Sequence, residues 1–261
     1  MDQSLSNSIG PTERPPRLAV IGCRVMEGEV EHYRAEMEHI AHVEWLEQGL
    51  HNEPDKLRVQ VQLAVERIER DTDVEAIALI YGLCSRGLEG IAPKRCRVVI
   101  ARAHDCITLL LGDKQRYAQY VREHPGTYWY SPGWNMHHTP PGRERYEKLH
   151  AEYVERYGDD NAEYLMQTEQ HWFSTYDRAT YVHLTVGATD SDIDYSKQCA
   201  DWLGWNFDMQ HGDPQLVYDL LAGRWDSQRF AVIEPGQRIA MVSGDRVLDA
   251  QPAKEQADHG R

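Results

Sequence analysis

The 261-residue chain carries 42 Asp and Glu against 28 Lys and Arg, a formal net charge of −14. Such an excess of negative charge excludes a basic face for nucleic-acid phosphates or for anionic membrane surfaces. Hydrophobic residues make up 41% and charged residues 27%, the balance of a globular protein and not of a disordered one.

No run approaches the ~20 apolar residues of a membrane span. The opening from Met1 to Pro16 is polar and lacks the apolar stretch of a signal peptide. A cytoplasmic protein is therefore expected, and its five cysteines are expected to be reduced thiols. Residues 1–16 and 252–261 are expected to be disordered tails. Between them, 17–251 forms one α/β domain or two intimately packed lobes, approximately 17–135 and 136–251.

Arg17-Leu-Ala-Val-Ile-Gly22 is a short apolar run closing on glycine, the pattern of a buried first strand. A helix is expected over 27–41, a second strand over 42–46 and a loop through His51. Pro54 then opens a helix to about Arg70, with Leu57, Val61, Ala64, Val65 and Ile68 on one face. The third strand, 75–80, ends in the turn Tyr81-Gly-Leu-Cys-Ser-Arg-Gly-Leu88. The fourth, 97–101, leads at once into His104-Asp-Cys106, with Asp105 placed to cap a short helix over 107–111.

Further along, the pattern predicts a helix over 114–123, a strand over 127–130 and a turn at 131–134. One or two long helices fall within 142–176. Then come a strand over 180–186, a helix over 191–203, a strand over 205–209 and a helix over 213–221. Strands over 230–234 and 238–242 flank the turn Pro235-Gly236. Tyr146, Tyr153, Tyr157 and Tyr164 are spaced for one helical stripe, which reads as intramolecular or subunit packing.

Strands alternating with helices predict an α/β fold with a largely parallel, Rossmann-like sheet and helices on both faces. In such sheets the loops after the strands emerge along one edge, where ligands bind. Cys23, Cys84 and Cys106 would meet there. Cys96 precedes a strand and belongs at the opposite edge, and Cys199 lies within a helix as a small buried hydrophobe.

Three converging thiols suit a soft metal centre with a fourth position open. The first expectation is a [4Fe–4S] cluster on Cys23, Cys84 and Cys106, its open iron serving lyase, hydrolase or desulfidase chemistry. A zinc–thiolate site is the alternative, and buried cysteines packing as small hydrophobes are the plain one. Cys106 as a nucleophile with a lowered pKa is a further reading. His104, with Asp105 and Arg102, is the candidate acid–base group. His51, Arg86, Trp134 and His211 are candidate contacts for a small anionic or zwitterionic substrate.

Several motifs are also familiar as a set. Tyr81-Gly-Leu-Cys84 with Gly87-Leu88, Arg102-Ala-His-Asp-Cys-Ile107 with Leu110-Leu-Gly112, Gly126-Thr-Tyr128 and Gly133-Trp134 resemble domain-of-unknown-function family 1638. The resemblance runs from about Leu18 to the 230–236 region. Members of that family are met in prokaryotes, often near corrinoid-dependent methyl-transfer systems. The resemblance thus implies one-carbon metabolism, with zinc-dependent methyl transfer or a non-enzymatic accessory role in metal delivery as alternatives. A corrinoid or methyltransferase protein would be the partner, and no activity comes with the family.

Overall fold

The computed structural model describes residues 14–253 other than 185. Within it the chain divides into two units. The first comprises 14–23, 30–106 and 215–253, and the second 24–29 and 107–214. The division is discontinuous: the chain leaves the first unit after Cys106 and returns at Gln215, where the sequence suggested a single cut near 135.

In the first unit the apolar runs become strands β1 (Leu18–Cys23), β2 (Ile40–Leu46), β3 (Ala76–Ile80) and β4 (Arg97–Ala101). β8 (Phe230–Ile233) completes a sheet of order β2-β1-β3-β4-β8. β1 to β4 pair in parallel, and β8 closes the edge antiparallel to β4. Every residue of β3 is buried, as expected of a strand covered on both faces.

Alternation along the strands turns Ala19, Ile21, Ile77, Leu79, Val98 and Ile100 to one face. There they pack against Leu57, Val61, Ala64, Val65 and Ile68 of α2 (Pro54–Asp71), the stripe expected from its 3.6-residue period. α9 (Gln215–Leu221) packs beside β3 and β4. α1 (Glu27–Arg34) is shorter than expected, because Ile40 already pairs with Leu18 at the start of β2. No helix joins β3 to β4. Residues 81–96 are irregular, so the helix–strand alternation of a Rossmann fold is broken there.

Both ends of the described chain are tied to this unit. Arg14 pairs with Glu75 at 2.8 Å. Near the C-terminus β9 (Gln237–Met241) and β10 (Leu248–Pro252) form an antiparallel hairpin. The expected tails reduce to 1–13 and 254–261, which lie outside the described residues.

Arg102, a candidate catalytic group by sequence, holds this hairpin instead. Its side chain is 3% exposed and pairs with Asp249 at 3.1 Å. Nε donates to the carbonyls of Ser227 and Phe230 at 3.0 and 3.1 Å, and Nη1 donates to that of Leu248. A guanidinium engaged on this many fixed acceptors is a structural bracket between β4, β8 and β10.

The second unit is built on β5 (Thr127–Tyr130), β6 (Arg178–His183) and β7 (Asn206–His211), all parallel, in the order β5-β6-β7. Its helices are α3 (Cys106–Leu111, beginning at the last residue of the first unit), α4 (Lys114–Glu123), α5 (Pro132–His137), α6 (Arg143–Tyr157), α7 (Asp159–Phe173) and α8 (Asp190–Leu203). Tyr130, Ala179, Tyr181, Cys199 and Ala200 form a core.

Gly158, at φ 77°, separates α6 from α7. The expected tyrosine stripe is therefore split between two helices. Tyr157 and Tyr164 are 53% and 70% exposed, so at these two positions the stripe is not an intramolecular packing face. Among the described residues no helix is long and apolar enough to cross a membrane.

Glu29 of this unit is 3% exposed and its Oε2 has no hydrogen-bond partner. Burial pushes its pKa from 4.5 up to about 7, opposed by a backbone hydrogen bond. The folded state thus holds the proton more tightly than the unfolded chain. The associated stability is fully present below pH 4.5 and is lost as pH rises through about 7. The expected difference across that window is about 3 kcal/mol. Glu29→Gln should flatten the fall in thermal stability between pH 5 and about 8 and leave the variant more stable than wild type at the alkaline end, as thermal melts at several pH values would register.

Candidate thiol centre

Parallel pairing of β1, β3 and β4 aligns their C-terminal ends along one sheet edge. Cys23 is the last residue of β1, Tyr81 follows β3 directly, and Cys106 is the first residue of α3, reached from β4 through Arg102 to Asp105. Two backbone bonds join the loops after β3 and β4: Leu83 N to Ala103 O and Cys84 N to His104 O, each 2.9 Å. Gly82 allows this approach. A Cβ there would stand 2.6 Å from Asp105 Cα and 2.7 Å from the His104 carbonyl carbon, closer still to the Asp105 nitrogen.

The chain then turns left-handed through three successive non-glycine residues, Cys84, Ser85 and Arg86, at φ 45°, 53° and 68°. Such a conformation costs about 1–2 kcal/mol per residue. It persists where surrounding contacts determine it, and it is concentrated at functional sites. Here the Gly87 N–H bonds to the Cys84 carbonyl at 2.8 Å, and Leu83, Cys84 and Leu88 are anchored in the core.

The three thiols lie within one another's electrostatic reach. Burial first, then the Asp105 carboxylate and Cys23, push Cys84 up to about 12. Burial, Asp105, Cys84 and Cys23 raise Cys106 well above an ordinary thiol. Cys106 is therefore no low-pKa nucleophile on its own protein environment, contrary to that reading of the sequence. A bound metal cation reverses the balance, because coordination deprotonates a thiol outright.

Tyr81, which opens the turn after β3, joins the cluster although the sequence pattern does not mark it as a site residue. It is 4% exposed, and its hydroxyl has no hydrogen-bond partner. Burial raises its pKa, with Cys23, Cys84 and Cys106 all contributing in the same direction. Its sequence signals are a phenol placed directly after an all-apolar strand, three residues before a cysteine, and within the Tyr81-Gly-Leu-Cys84 motif.

His51 lies in the loop after β2. Burial lowers its pKa, and the Asp105 carboxylate opposes that shift, which places His51 and Asp105 within reach of each other. His104 and Arg86 are exposed. Arg86 pairs with Glu89 at 2.7 Å. Trp134 and His211 belong to the second unit. Trp134 is in α5, the element expected as a plain turn, and its ring packs 4.9 Å from that of His138. His211 ends β7, with its ring 5.6 Å from that of His183.

The remaining cysteines have structural neighbours. Cys96 lies before β4 against Glu69, whose Oε1 accepts from the backbone N–H of Lys94, Arg95 and Cys96 at 2.9, 2.7 and 3.1 Å. Cys199 is 4% exposed in the second core, where a Cβ on Gly142 would meet its Sγ at 2.6 Å.

Among the described residues no group of three His, Cys, Asp or Glu side chains is arranged as a ready grip for a metal ion. In its donor chemistry the set nonetheless fits a thiophilic metal or cluster. It comprises three thiols, of which Cys84 and Cys106 are destabilised as thiolates by burial, with an orphaned hydroxyl in their electrostatic reach.

The family described as "Protein of unknown function (DUF1638)" matches residues 45–221. That span contains Tyr81, Cys84 and Cys106 and leaves Cys23 outside. No curated protein and no solved structure matches the chain.

Proposed function

Because the chain belongs to the DUF1638 family of proteins of unknown function, a membership that assigns no activity, we propose a function from its own residues: a metal-dependent enzyme of the cytoplasm, acting on a small polar substrate at a centre held by Cys23, Cys84 and Cys106. The observation carrying this reading is the placement of Cys23 at the end of β1 and of Cys84 and Cys106 after β3 and β4 on one sheet edge, where the Cys84 N to His104 O bond joins the two loops. The strand order β2-β1-β3-β4 supports it. In a doubly wound, Rossmann-like sheet of that order, the crevice for a ligand opens between β1 and β3, the strands that lead to Cys23 and Cys84.

When bound, a [4Fe–4S] cluster with one iron free of protein ligands supplies a Lewis acid for lyase, hydrolase or desulfidase chemistry. The chain's own residues supply the remainder. The left-handed turn fixes Cys84, and its hydrogen bond to the His104 carbonyl ties that cysteine to the loop leading to Cys106. His51, its pKa lowered by burial, is a neutral proton acceptor beside Asp105 at neutral pH. His104, exposed in the same loop, is placed to contact a substrate arriving from solvent.

Serine substitution tests the ligand assignment. After anaerobic purification, Cys23→Ser, Cys84→Ser and Cys106→Ser are each expected to lose the visible absorption of the cluster, while Cys96→Ser and Cys199→Ser retain it. Retention in all three members of the first set would overturn the assignment. Stoichiometric zinc without visible absorption, lost in the same three variants, would replace the cluster with a zinc–thiolate site suited to methyl transfer.

A further inference from the structure

Tyr81 presents the one polar atom of the thiol cluster whose need the protein does not meet. The side chain is 4% exposed, anchored in the core that contains Leu83 and Cys84, and its hydroxyl has no partner. Leaving a buried hydroxyl unpaired is destabilising, because its hydration is lost and nothing replaces it. An unpaired buried group requires an explanation, and a redox or catalytic role or a bound ion is among those that supply one.

Tyr81 directly follows β3 at the sheet edge where β1 ends in Cys23, and its hydroxyl lies within electrostatic reach of Cys23, Cys84 and Cys106. A water alone would be poorly held there. It needs two to four good polar partners, and thiols are weak donors and weak acceptors. The two arginines of the adjoining loops are engaged elsewhere: Arg86 is paired with Glu89, and Arg102 with Asp249 and the backbone of the C-terminal strands.

Resting on the thiol centre proposed above, we propose that Tyr81 is its positioning hydrogen-bond donor, giving its O–H to an anionic sulfur or oxygen atom of the group that the three cysteines hold. The class of acceptor follows from the surroundings. A phenol near several thiolates donates and does not accept, and a sulfide or metal-bound oxygen offers the lone pairs that the protein lacks at that point. Hydrogen bonds to cluster sulfur stabilise the more electron-rich state and raise its reduction potential. Tyr81 thereby sets the electronics of the centre as well as its orientation.

Tyr81→Phe removes only the hydroxyl and keeps the ring in the core. Wild type, Tyr81→Phe and Cys84→Ser are compared without metal and after anaerobic reconstitution with iron and sulfide. In metal-free protein Tyr81→Phe should melt at the wild-type temperature or above it, because an unpaired buried group has gone. After loading, the order should reverse, and the midpoint potential of Tyr81→Phe should lie below that of wild type at equal iron content.

A metal-free Tyr81→Phe clearly less stable than wild type would show that the hydroxyl has a partner within the protein, and would overturn the inference. So would a loaded variant with unchanged midpoint and unchanged relative stability, although the three-cysteine centre would then stand. Failure of wild type itself to take up iron, sulfide or zinc would overturn the centre and this inference together.

Discussion

Gly82→Ala is expected to abolish assembly of the thiol centre and to lower the melting temperature. The added methyl would stand 2.6 Å from Asp105 Cα and 2.7 Å from the His104 carbonyl carbon. These are backbone atoms, which cannot swing aside as the tip of a side chain does. Relief therefore requires the loops after β3 and β4 to separate. That movement breaks the bonds from Leu83 N to Ala103 O and from Cys84 N to His104 O, and carries Cys84 away from Cys106. Overpacking against a fixed neighbour costs about 3 kcal/mol at the upper end of the usual range, which for a protein of this size corresponds to a fall on the order of 10 °C. Gly28, in α1, provides the control: a Cβ there meets nothing within 4 Å. Gly28→Ala should leave metal content unchanged and stability equal or slightly higher. Normal metal uptake by Gly82→Ala would show that contact between the two loops does not matter to the centre.

Arg102→Met is expected to produce a comparable loss of stability with no loss of the centre. Methionine preserves much of the side-chain volume but leaves the carbonyls of Ser227, Phe230 and Leu248 without their donor and the Asp249 carboxylate without its cation. Removing one partner of a buried ionic network costs about 3–5 kcal/mol, again on the order of 10 °C in melting temperature. The damage falls on β8 and β10, so metal per folded chain should equal that of wild type. A stable Arg102→Met with an altered metal site would return Arg102 to the functional residues. The contrast between the two variants separates residues that build the edge of the sheet from those that build the sheet.

Much of this edge was legible because buried parallel strands announce themselves. Leu18–Cys23, Ala76–Ile80 and Arg97–Ala101 are short apolar runs bounded by polar or glycine-containing segments, and the cysteine positions follow from where the runs end. Less legible were elements whose reason lies elsewhere in the chain. β10, Leu-Asp-Ala-Gln-Pro, has no apolar run. It is a strand because it pairs with β9 and because Arg102, more than a hundred residues earlier, binds Asp249. For the same reason Arg102 looked catalytic: its position after β4 was visible, and its acceptors were not.

α5 has a local signal that a turn shares. Ser131 precedes Pro132, and its Oγ accepts from Trp134 N at 3.1 Å, the arrangement of an N-cap followed by proline in the first turn. The left-handed run at Cys84–Arg86 has no counterpart in composition, since none of the three is a glycine. Tyr81 was hidden for a different reason. An aromatic residue beside a buried strand reads as core, and only the absence of a partner for its hydroxyl marks it as part of a site.

Iron, zinc and acid-labile sulfide content of the anaerobically purified wild-type protein, taken with its visible spectrum, tests the central claim most directly. About four irons and four sulfides per chain with a broad visible band are the result predicted for a [4Fe–4S] centre on Cys23, Cys84 and Cys106. Colourless protein free of iron, zinc and sulfide, and unable to take them up on reconstitution, would contradict it.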